Sequence, residues 1–266
     1  MRNDKLVLIL TLLFIGALLS LRTEIASAQS NSYVATQSQG WRMGGGNPTN
    51  SHWNAAETDL YPPLERVWTW SASNERFLPD SITYIPYGSA NGIVYVSGMG
   101  RDDKNVVYAV DVYARQSRWR YQLIEGGGAM NHHVAVTWPY AVFGGQHDDY
   151  LYIVDASEGT TLSITPGFES LYAKPAKIFD STVFACGNGF CSAISLYTGN
   201  IVWTQNTRSG SASSDIALAY NTLVGPTPAD YPGTEITLFS SSTGQVLLQT
   251  GATRGHSVVT DGNRIY

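Results

Sequence analysis

One pattern recurs along this 266-residue sequence at nearly constant spacing, and it restricts the fold more than any other feature. Each copy is a short apolar strand, a turn, and a second strand. The copies are AVDVYARQSRW at 109–119, IVDASEGTTLS at 153–163, AISLYTGNIVW at 193–203 and LFSSSTGQVLL at 238–248. We call one equivalent position in the turn of each copy the turn slot. It is occupied by Arg115, Gly159, Gly199 and Gly244, which lie 44, 40 and 45 residues apart. This period is typical of repeat architectures.

A second pattern, a polar turn followed by an apolar strand, precedes each copy. It reads NGIVYVSG at 91–98, WPYAVFGG at 138–145, DSTVFACG at 180–187 and YNTLVGP at 220–226, and a fifth start, DGNRIY, occupies 261–266. With an inner strand ahead of the polar turn, each unit has four antiparallel strands, which is the content of a propeller blade. We therefore predict an all-β fold, a β-propeller of four-stranded antiparallel blades, with four blades and the start of a fifth.

The residue types in the repeated turn have a physical reason. Gly at the turn slot accepts a positive φ without a Cβ penalty. Four residues earlier stands a side chain with a short oxygen-bearing group that can accept hydrogen bonds from turn amides: Asp111, Asp155, Ser195 or Ser240. Four residues after the slot, Trp119 and Trp203 can place a large ring between neighbouring blades. Ser163 and Leu248 stand there in the other two units, so we expect irregular packing at those places.

Composition and charge exclude two classes of protein. With 43% hydrophobic and 14% charged residues, the chain is not a solvated disordered polymer. A formal charge of −5 offers no broad cationic surface to phosphate backbones, so we expect no nucleic-acid partner.

The first 28 residues predict export. Arg2 and Lys5 precede an apolar run, Leu6–Leu21, and Ala26-Ser27-Ala28 forms a small-x-small cleavage pattern. We interpret 1–28 as a signal peptide, 29–63 as a lead segment and 64–266 as a partial propeller. The predicted blades are about 80–124, 129–168, 171–210 and 213–252, with the next starting at 256–266. We expect a soluble protein in the periplasm, at the cell surface or outside the cell; an uncleaved apolar run would instead anchor it to a membrane.

The two cysteines, Cys186 and Cys191, flank a Gly187-Asn188-Gly189 turn in one predicted hairpin. An exported compartment permits a disulfide across that hairpin. Two reduced core thiols are the alternative. A zinc site is disfavoured, because no histidine cluster lies at ligand spacing.

The pattern Ala-x-Asp-x-x-Thr-Gly-x-x-x-Trp resembles the pyrroloquinoline-quinone-like propeller repeat of quinoprotein alcohol dehydrogenases and of many non-enzymatic exported propellers. Ala193, Thr198, Gly199 and Trp203 match it, with Ser195 in the Asp slot. The resemblance covers about 41–266. Relatives usually carry seven or eight blades, so it implies a truncated ring, in which the first strand, Leu64–Ser71, would pair with a blade outside this sequence. A complete four-bladed ring is the competing interpretation.

The same resemblance implies a test for enzymatic function. Quinoprotein dehydrogenases hold the quinone under a disulfide of adjacent cysteines and beside a calcium ion. This sequence has no adjacent cysteines and no acidic cluster at a recognisable calcium spacing. We interpret the nearest acidic pairs, Asp102-Asp103 and Asp148-Asp149, as solvated loop tips.

Counting back from the middle strands gives a candidate ligand site. Positions eight and nine residues before each middle strand would start the innermost strands and line one mouth of the central channel. The polar candidates there are His132, His133, Lys174, Asp215 and His256. They could bind a small polar ligand or a metal through imidazole and carboxylate, or they could simply satisfy strand ends.

Two functions from different classes follow. The first is a non-catalytic exported propeller that binds a protein or a small polar ligand. One relative of this kind is the scaffold lipoprotein of the outer-membrane β-barrel assembly machine. Such a lipoprotein needs a cysteine at the cleavage site for lipid attachment, and this sequence has none there. The alternative is a fragment of an alcohol or sugar dehydrogenase that depends on pyrroloquinoline quinone and calcium. A third hypothesis is a metal or sugar binder acting through His132, His133 and His256.

Overall fold

The computed structural model of the chain contains only strands and turns in the part that it describes. All described residues belong to one compact unit, Gln39–Tyr266. The described ranges are 68–72, 78–87, 91–100, 104–125, 134–144, 148–168, 176–187, 190–206, 216–219, 221–227 and 235–249. The predicted signal peptide, the lead segment and the fifth start at 261–266 lie outside them.

The strands form four sheets of four antiparallel strands, each in chain order, which confirms the prediction of four-stranded antiparallel units. Blade 1 contains β1 (Leu78–Tyr87), β2 (Asn91–Met99), β3 (Asn105–Asp111) and β4 (Gln116–Gln122). Blade 2 contains β5 (Ala135–Thr137), β6 (Tyr140–Gly144), β7 (Tyr150–Asp155) and β8 (Thr161–Pro166). Blade 3 contains β9 (Lys177–Phe179), β10 (Thr182–Gly187), β11 (Phe190–Ser195) and β12 (Ile201–Asn206). Blade 4 contains β13 (Ala217–Ala219), β14 (Thr222–Thr227), β15 (Glu235–Ser240) and β16 (Val246–Gln249).

Apolar residues of neighbouring blades form the core, because both faces of a middle strand are buried. One cluster joins blades 1 and 2 and includes Tyr95, Val107, Phe143 and Tyr152. A second joins blades 2 and 3, and a third joins blades 3 and 4. Each sheet thus covers its apolar faces only with the help of its neighbours, which is the stabilising principle of repeat proteins.

The repeated turns have the predicted conformation and hydrogen bonds. The slot residues have positive φ: 56° at Arg115, 72° at Gly159, 69° at Gly199 and 72° at Gly244. The short side chain four residues earlier accepts amide hydrogen bonds in every blade; the Asp155 carboxylate, for example, binds the amides of Ser157 (2.8 Å) and Glu158 (3.0 Å). Both predictions about the turn are confirmed.

Tryptophan rings connect the turn of one blade to the outer strand of the previous one. Trp119 of blade 1 donates from Nε1 to the carbonyl of Ala156 in blade 2 (3.1 Å), and Tyr95 donates to the same carbonyl (2.8 Å). Trp203 of blade 3 repeats the contact by donating to the carbonyl of Ser241 in blade 4 (2.8 Å). The prediction that these rings lie between blades is confirmed.

The contact between blades 2 and 3 is built differently, as expected from Ser163. This side chain takes the place of the Trp ring and lies directly against Gly199. Beside it, the hydroxyl of Thr165 donates to the carbonyl of Gly199 at 2.7 Å. A hydrogen bond and a close approach therefore replace the aromatic contact at this junction.

The segment 68–72 covers the face of blade 1 that does not contact blade 2. Trp68, Trp70 and Ala72 pack against a cluster that includes Val106 and Tyr108. Trp70 meets the Tyr108 ring edge-on at 5.2 Å between centroids and donates from Nε1 to the Ser117 hydroxyl (3.0 Å). Residues at the end of the predicted first strand thus lie where a preceding blade would stand.

Candidate functional site

The five predicted channel-mouth residues lie outside the described part of the chain, so the predicted ligand ring stays a prediction. They are His132, His133, Lys174, Asp215 and His256. The structure does describe the strands that follow these residues in the sequence. In blade 2, Ala135 at the start of β5 pairs with Val142 in the middle of β6, and Gly144 at the end of β6 pairs with Leu151 at the start of β7. We call this end of the blades, opposite the repeated turns, the loop end.

A buried carboxyl group lies at the loop end between blades 1 and 2. Asp148, two residues before the start of β7, is 0% exposed, and so is Tyr152. The Tyr152 hydroxyl donates to Asp148 Oδ2 at 2.8 Å and accepts a hydrogen bond from the amide of Ile124, which follows β4 of blade 1, at 3.0 Å. We call these three residues the Asp148 network. It ties the end of one blade to the start of a strand in the next.

This position corrects the sequence-based interpretation of Asp148-Asp149 as a solvated loop tip, which is wrong for Asp148. Its neighbour Asp149 is half-buried and accepts a hydrogen bond from the amide of Phe168 (3.0 Å) on its carbonyl. Asp148 is buried because the end of blade 1 covers it, and the amide of Glu125, more than twenty residues earlier in the sequence, forms a hydrogen bond with its carboxyl group. Asp102-Asp103, the other acidic pair, lies outside the described residues.

The surroundings of Asp148 disfavour its charge. Burial raises the pKa of its carboxyl to about 6, the nearby Glu125 carboxylate contributes in the same direction, and the hydrogen bond from Tyr152 opposes the rise only in part. The amides of Tyr150 and Glu125 also favour the carboxylate, but Oδ1 is buried without a hydrogen-bond partner among the described residues. Burial likewise raises the pKa of the Tyr152 hydroxyl.

Aromatic rings form the apolar wall beside the network. Tyr121 of β4 lies edge-on to Phe143 (5.3 Å) and to Tyr152 (5.5 Å), and Phe143 stacks on Tyr152 at 5.7 Å. The Tyr121 hydroxyl lies 3.0 Å from that of Thr161 in β8, which adds a polar contact between the blades. The alternation of tyrosines in β7 was the sequence signal for this wall, although it does not show which blade covers it.

A buried lysine lies on an innermost strand. Lys177 of β9 is 0% exposed and pairs in register with Phe184; the equivalent positions of β5 and β13 hold Ala135 and Ala217. Lysine is rarely fully buried without an interacting group, and Lys177 does take part in an interaction with another group. Sequence reasoning chose Lys174 in this segment and missed Lys177.

The two cysteines form a disulfide within one blade. Cys186 of β10 and Cys191 of β11 face each other directly across the hairpin, with their Cα atoms 4.0 Å apart. Both are buried in the cluster between blades 3 and 4. The sequence contains two cysteines, so both are used in this hairpin.

Two other kinds of site are absent from the part of the chain that the structure describes. They contain no group of three His, Cys, Asp or Glu side chains that could hold a metal ion. Nor do they include a helix long and apolar enough to span a membrane.

Comparison with known proteins identifies the fold. No family model and no curated protein sequence matches this chain. BamB from Moraxella catarrhalis is 16% identical with a TM-score of 0.50, over 65% of this chain and 54% of that one. The quinohemoprotein alcohol dehydrogenase from Comamonas testosteroni is 13% identical with a TM-score of 0.56, over 84% and 44%. A europium-containing methanol dehydrogenase is 13% identical with a TM-score of 0.55, over 82% and 50%.

These similarities show the fold and not the activity. The chain has the β-propeller fold of these solved structures, as its repeat predicted. It spans about half the length of these solved structures.

Proposed function

We propose that this chain is an exported, non-catalytic β-propeller that binds a protein partner or a small polar ligand. The observation that carries the proposal is the hairpin disulfide, which uses both cysteines of the sequence. The resemblance to quinoprotein dehydrogenases would instead require a disulfide between two adjacent cysteines above the quinone. The fold similarity to BamB supports a binding role.

Export is part of the proposal. The predicted signal peptide at 1–28 supports it, and so does the disulfide, since such bonds persist mainly in oxidising compartments. Fractionation of cells that express the full chain tests this point. We expect processed protein outside the cytoplasm with Cys186 and Cys191 oxidised; unprocessed, reduced protein in the cytoplasm would contradict export.

The binding site that we propose is the loop end, at the predicted channel mouth. Lys177 supports a polar role for this region, because a charged side chain stands on an innermost strand where two other blades have alanine. His133→Ala and His256→Ala are expected to weaken binding of a divalent metal or a sugar while leaving the melting temperature unchanged. Loss of folding in these variants would show that the histidines are structural.

The alternative function is a fragment of a quinone-dependent dehydrogenase. The matches to the two dehydrogenases favour it, since they cover 84% and 82% of this chain against 65% for BamB. The described residues do not fit the quinone and calcium, because their cysteines are paired within a hairpin and they supply no group of three metal-binding side chains. We therefore derive no reaction step through that cofactor.

One experiment separates the two functions. The chain is mixed with pyrroloquinoline quinone and calcium, and its thermal unfolding and absorbance spectrum are recorded. A ligand that binds only the folded state raises the melting temperature. We expect neither a thermal nor a spectral shift; a saturable shift of both would overturn the non-catalytic assignment.

A further inference from the structure

The Asp148 network contains a group that the proposed function does not use. Its carboxyl is fully buried at the junction of blades 1 and 2, and Oδ1 has no hydrogen-bond partner among the described residues. A buried charge is costly unless it is paired or well hydrogen-bonded. The hydrogen bonds from the Tyr152 hydroxyl and from the amides of Tyr150 and Glu125 offset this cost only in part. The ionised form of Asp148 is therefore poorly accommodated when the junction is closed.

The two protonation states have different effects on the junction. The neutral carboxyl removes the cost of a buried charge and can still accept the hydrogen bond from Tyr152. The ionised carboxyl faces a further negative charge, that of Glu125, from the end of blade 1. Opening the contact would return the ionised group to water, so ionisation favours separation and protonation favours closure.

Among the described residues, the junction offers little positive charge to offset ionisation. Blade 1 presents Tyr121, Glu125 and Lys104, and the Lys104 ammonium lies 3.4 Å from the carbonyl of Ile124. Blade 2 presents Tyr152 and, next in sequence, Asp149 and Tyr150. The undescribed stretches that flank the network in sequence contain His132, His133 and His147, so the test must separate their titration from that of Asp148.

We propose that the Asp148 network is a proton-sensitive latch, which holds the end of β4 on blade 2 in mild acid and loosens as the pH rises. The reporter is the amide of Ile124, because its hydrogen bond to Tyr152 exists only in the closed junction. The latch belongs to the fold itself and does not depend on which partner the protein binds.

Hydrogen exchange of the Ile124 amide between pH 4 and pH 8 tests the latch, with rates normalised to the intrinsic exchange rate. The pKa of about 6 against an ordinary 3.8 predicts that protection falls by about 100-fold over this range in the wild type. The Ser241 amide, which donates to the carbonyl of Asn221 in blade 4, is the internal control and should keep constant protection.

Two variants separate the latch from other titrating groups. Asp148→Asn has no charge at any pH and should make Ile124 protection independent of pH, whereas a histidine effect would persist in it. Tyr152→Phe should lower protection at every pH, because the bridging hydroxyl is removed. Constant protection in the wild type, or an unchanged pH dependence in Asp148→Asn, would overturn the proposal.

A measurement on the wild-type chain decides the matter should either variant fail to fold. The side-chain carbon resonance of Asp148 is followed by NMR as a function of pH. We expect a midpoint near 6, and a midpoint at the ordinary aspartate value would overturn the latch.

Discussion

At the residue scale, a short side-chain oxygen organises each repeated turn, and the carboxylates do so more strongly than the hydroxyls. Asp111 Oδ1 accepts hydrogen bonds from the amides of Ala114 (2.8 Å) and Tyr113 (2.9 Å), while Oδ2 binds Arg118 Nε at 3.1 Å. In blade 3, the Ser195 hydroxyl accepts one longer bond from Thr198, at 3.3 Å. The Ala114 amide, together with that of Tyr113 and the Arg118 guanidinium, lowers the pKa of Asp111.

A lowered pKa means that Asp111 stabilises the fold above its unfolded-state pKa and loses this contribution as acid protonates it. We expect Asp111→Asn to cost about 1 kcal/mol in the free energy of unfolding at neutral pH. The difference from wild type should shrink as the pH falls below about 4, where the wild-type carboxylate also becomes neutral. Urea unfolding at several pH values measures it, with Ser195→Ala as the control whose cost is constant. A constant cost for Asp111→Asn would contradict the charge-based explanation.

At the scale of secondary-structure elements, the glycine turns of blades 2, 3 and 4 have two roles, since each closes a hairpin and also contacts the outer strand of the preceding blade. A Cβ atom at Gly244 would lie 2.6 Å from the Trp203 ring, and one at Gly159 would lie 2.8 Å from the Trp119 ring. Glycine is therefore required for both its φ and its lack of a side chain.

Gly159→Ala and Gly244→Ala should each destabilise the protein by more than about 2 kcal/mol, because the left-handed backbone costs about 1 kcal/mol and the ring must also move. Gly167 provides the matched control. It has a φ of 87° but open space around a Cβ, so Gly167→Ala should cost only about 1 kcal/mol. Thermal or urea unfolding compares the three variants, and equal costs would show that the Trp contact contributes nothing.

The disulfide is a second element-scale feature whose contribution can be measured. It closes a short loop, because the paired cysteines have a sequence separation of 5, and such a loop predicts a stabilisation of about 2 kcal/mol. The Cys186→Ala/Cys191→Ala variant should lose that amount and become insensitive to reductant. The hairpin should still form, since β10 and β11 pair along their whole length. Complete unfolding on reduction would show that the bond, and not the packing between blades 3 and 4, holds the hairpin.

The sequence predicted the features that depend on local chemistry. The repeated turns, the middle strands and the positions of Trp119 and Trp203 follow from residues within one unit, and the structure confirms them. Asp148 and Lys177 could not be placed in this way, because their burial is set by neighbouring strands and blades. A pair of adjacent aspartates has the same local pattern in a solvated loop and beneath the end of another sheet.

At the scale of the whole molecule, stability depends on the sum of blade and junction contributions. Blade 1 is covered on one face by 68–72 and on the other by blade 2. The outer strands differ in chemistry: β4 exposes polar side chains, whereas apolar ones are exposed on the others, at Leu162 of β8, Val202 of β12 and Leu247 of β16. For nearest-neighbour assemblies of this kind, damage at one junction should stay near it.

Trp203→Ala tests this locality. Removing the ring should cost about 3–5 kcal/mol at the junction of blades 3 and 4. Native-state hydrogen exchange should then show the largest loss of protection in β11 and β14, with little change in β3. Trp119→Ala, the matched variant at the junction of blades 1 and 2, should give the reverse distribution. A uniform loss in both variants would mean that the described blades unfold as one cooperative body.

The small side chain at Ser163 has a consequence for how these sheets can be arranged. Trp119 and Trp203 each need a glycine turn with room for an indole, whereas the Gly199 turn lies so close to Ser163 that an indole there would collide with it. Exchanging blades 2 and 3 would therefore bring mismatched shapes together, although their backbones are alike. The blades are therefore not interchangeable, and the side chains at their junctions specify the order in which they follow one another.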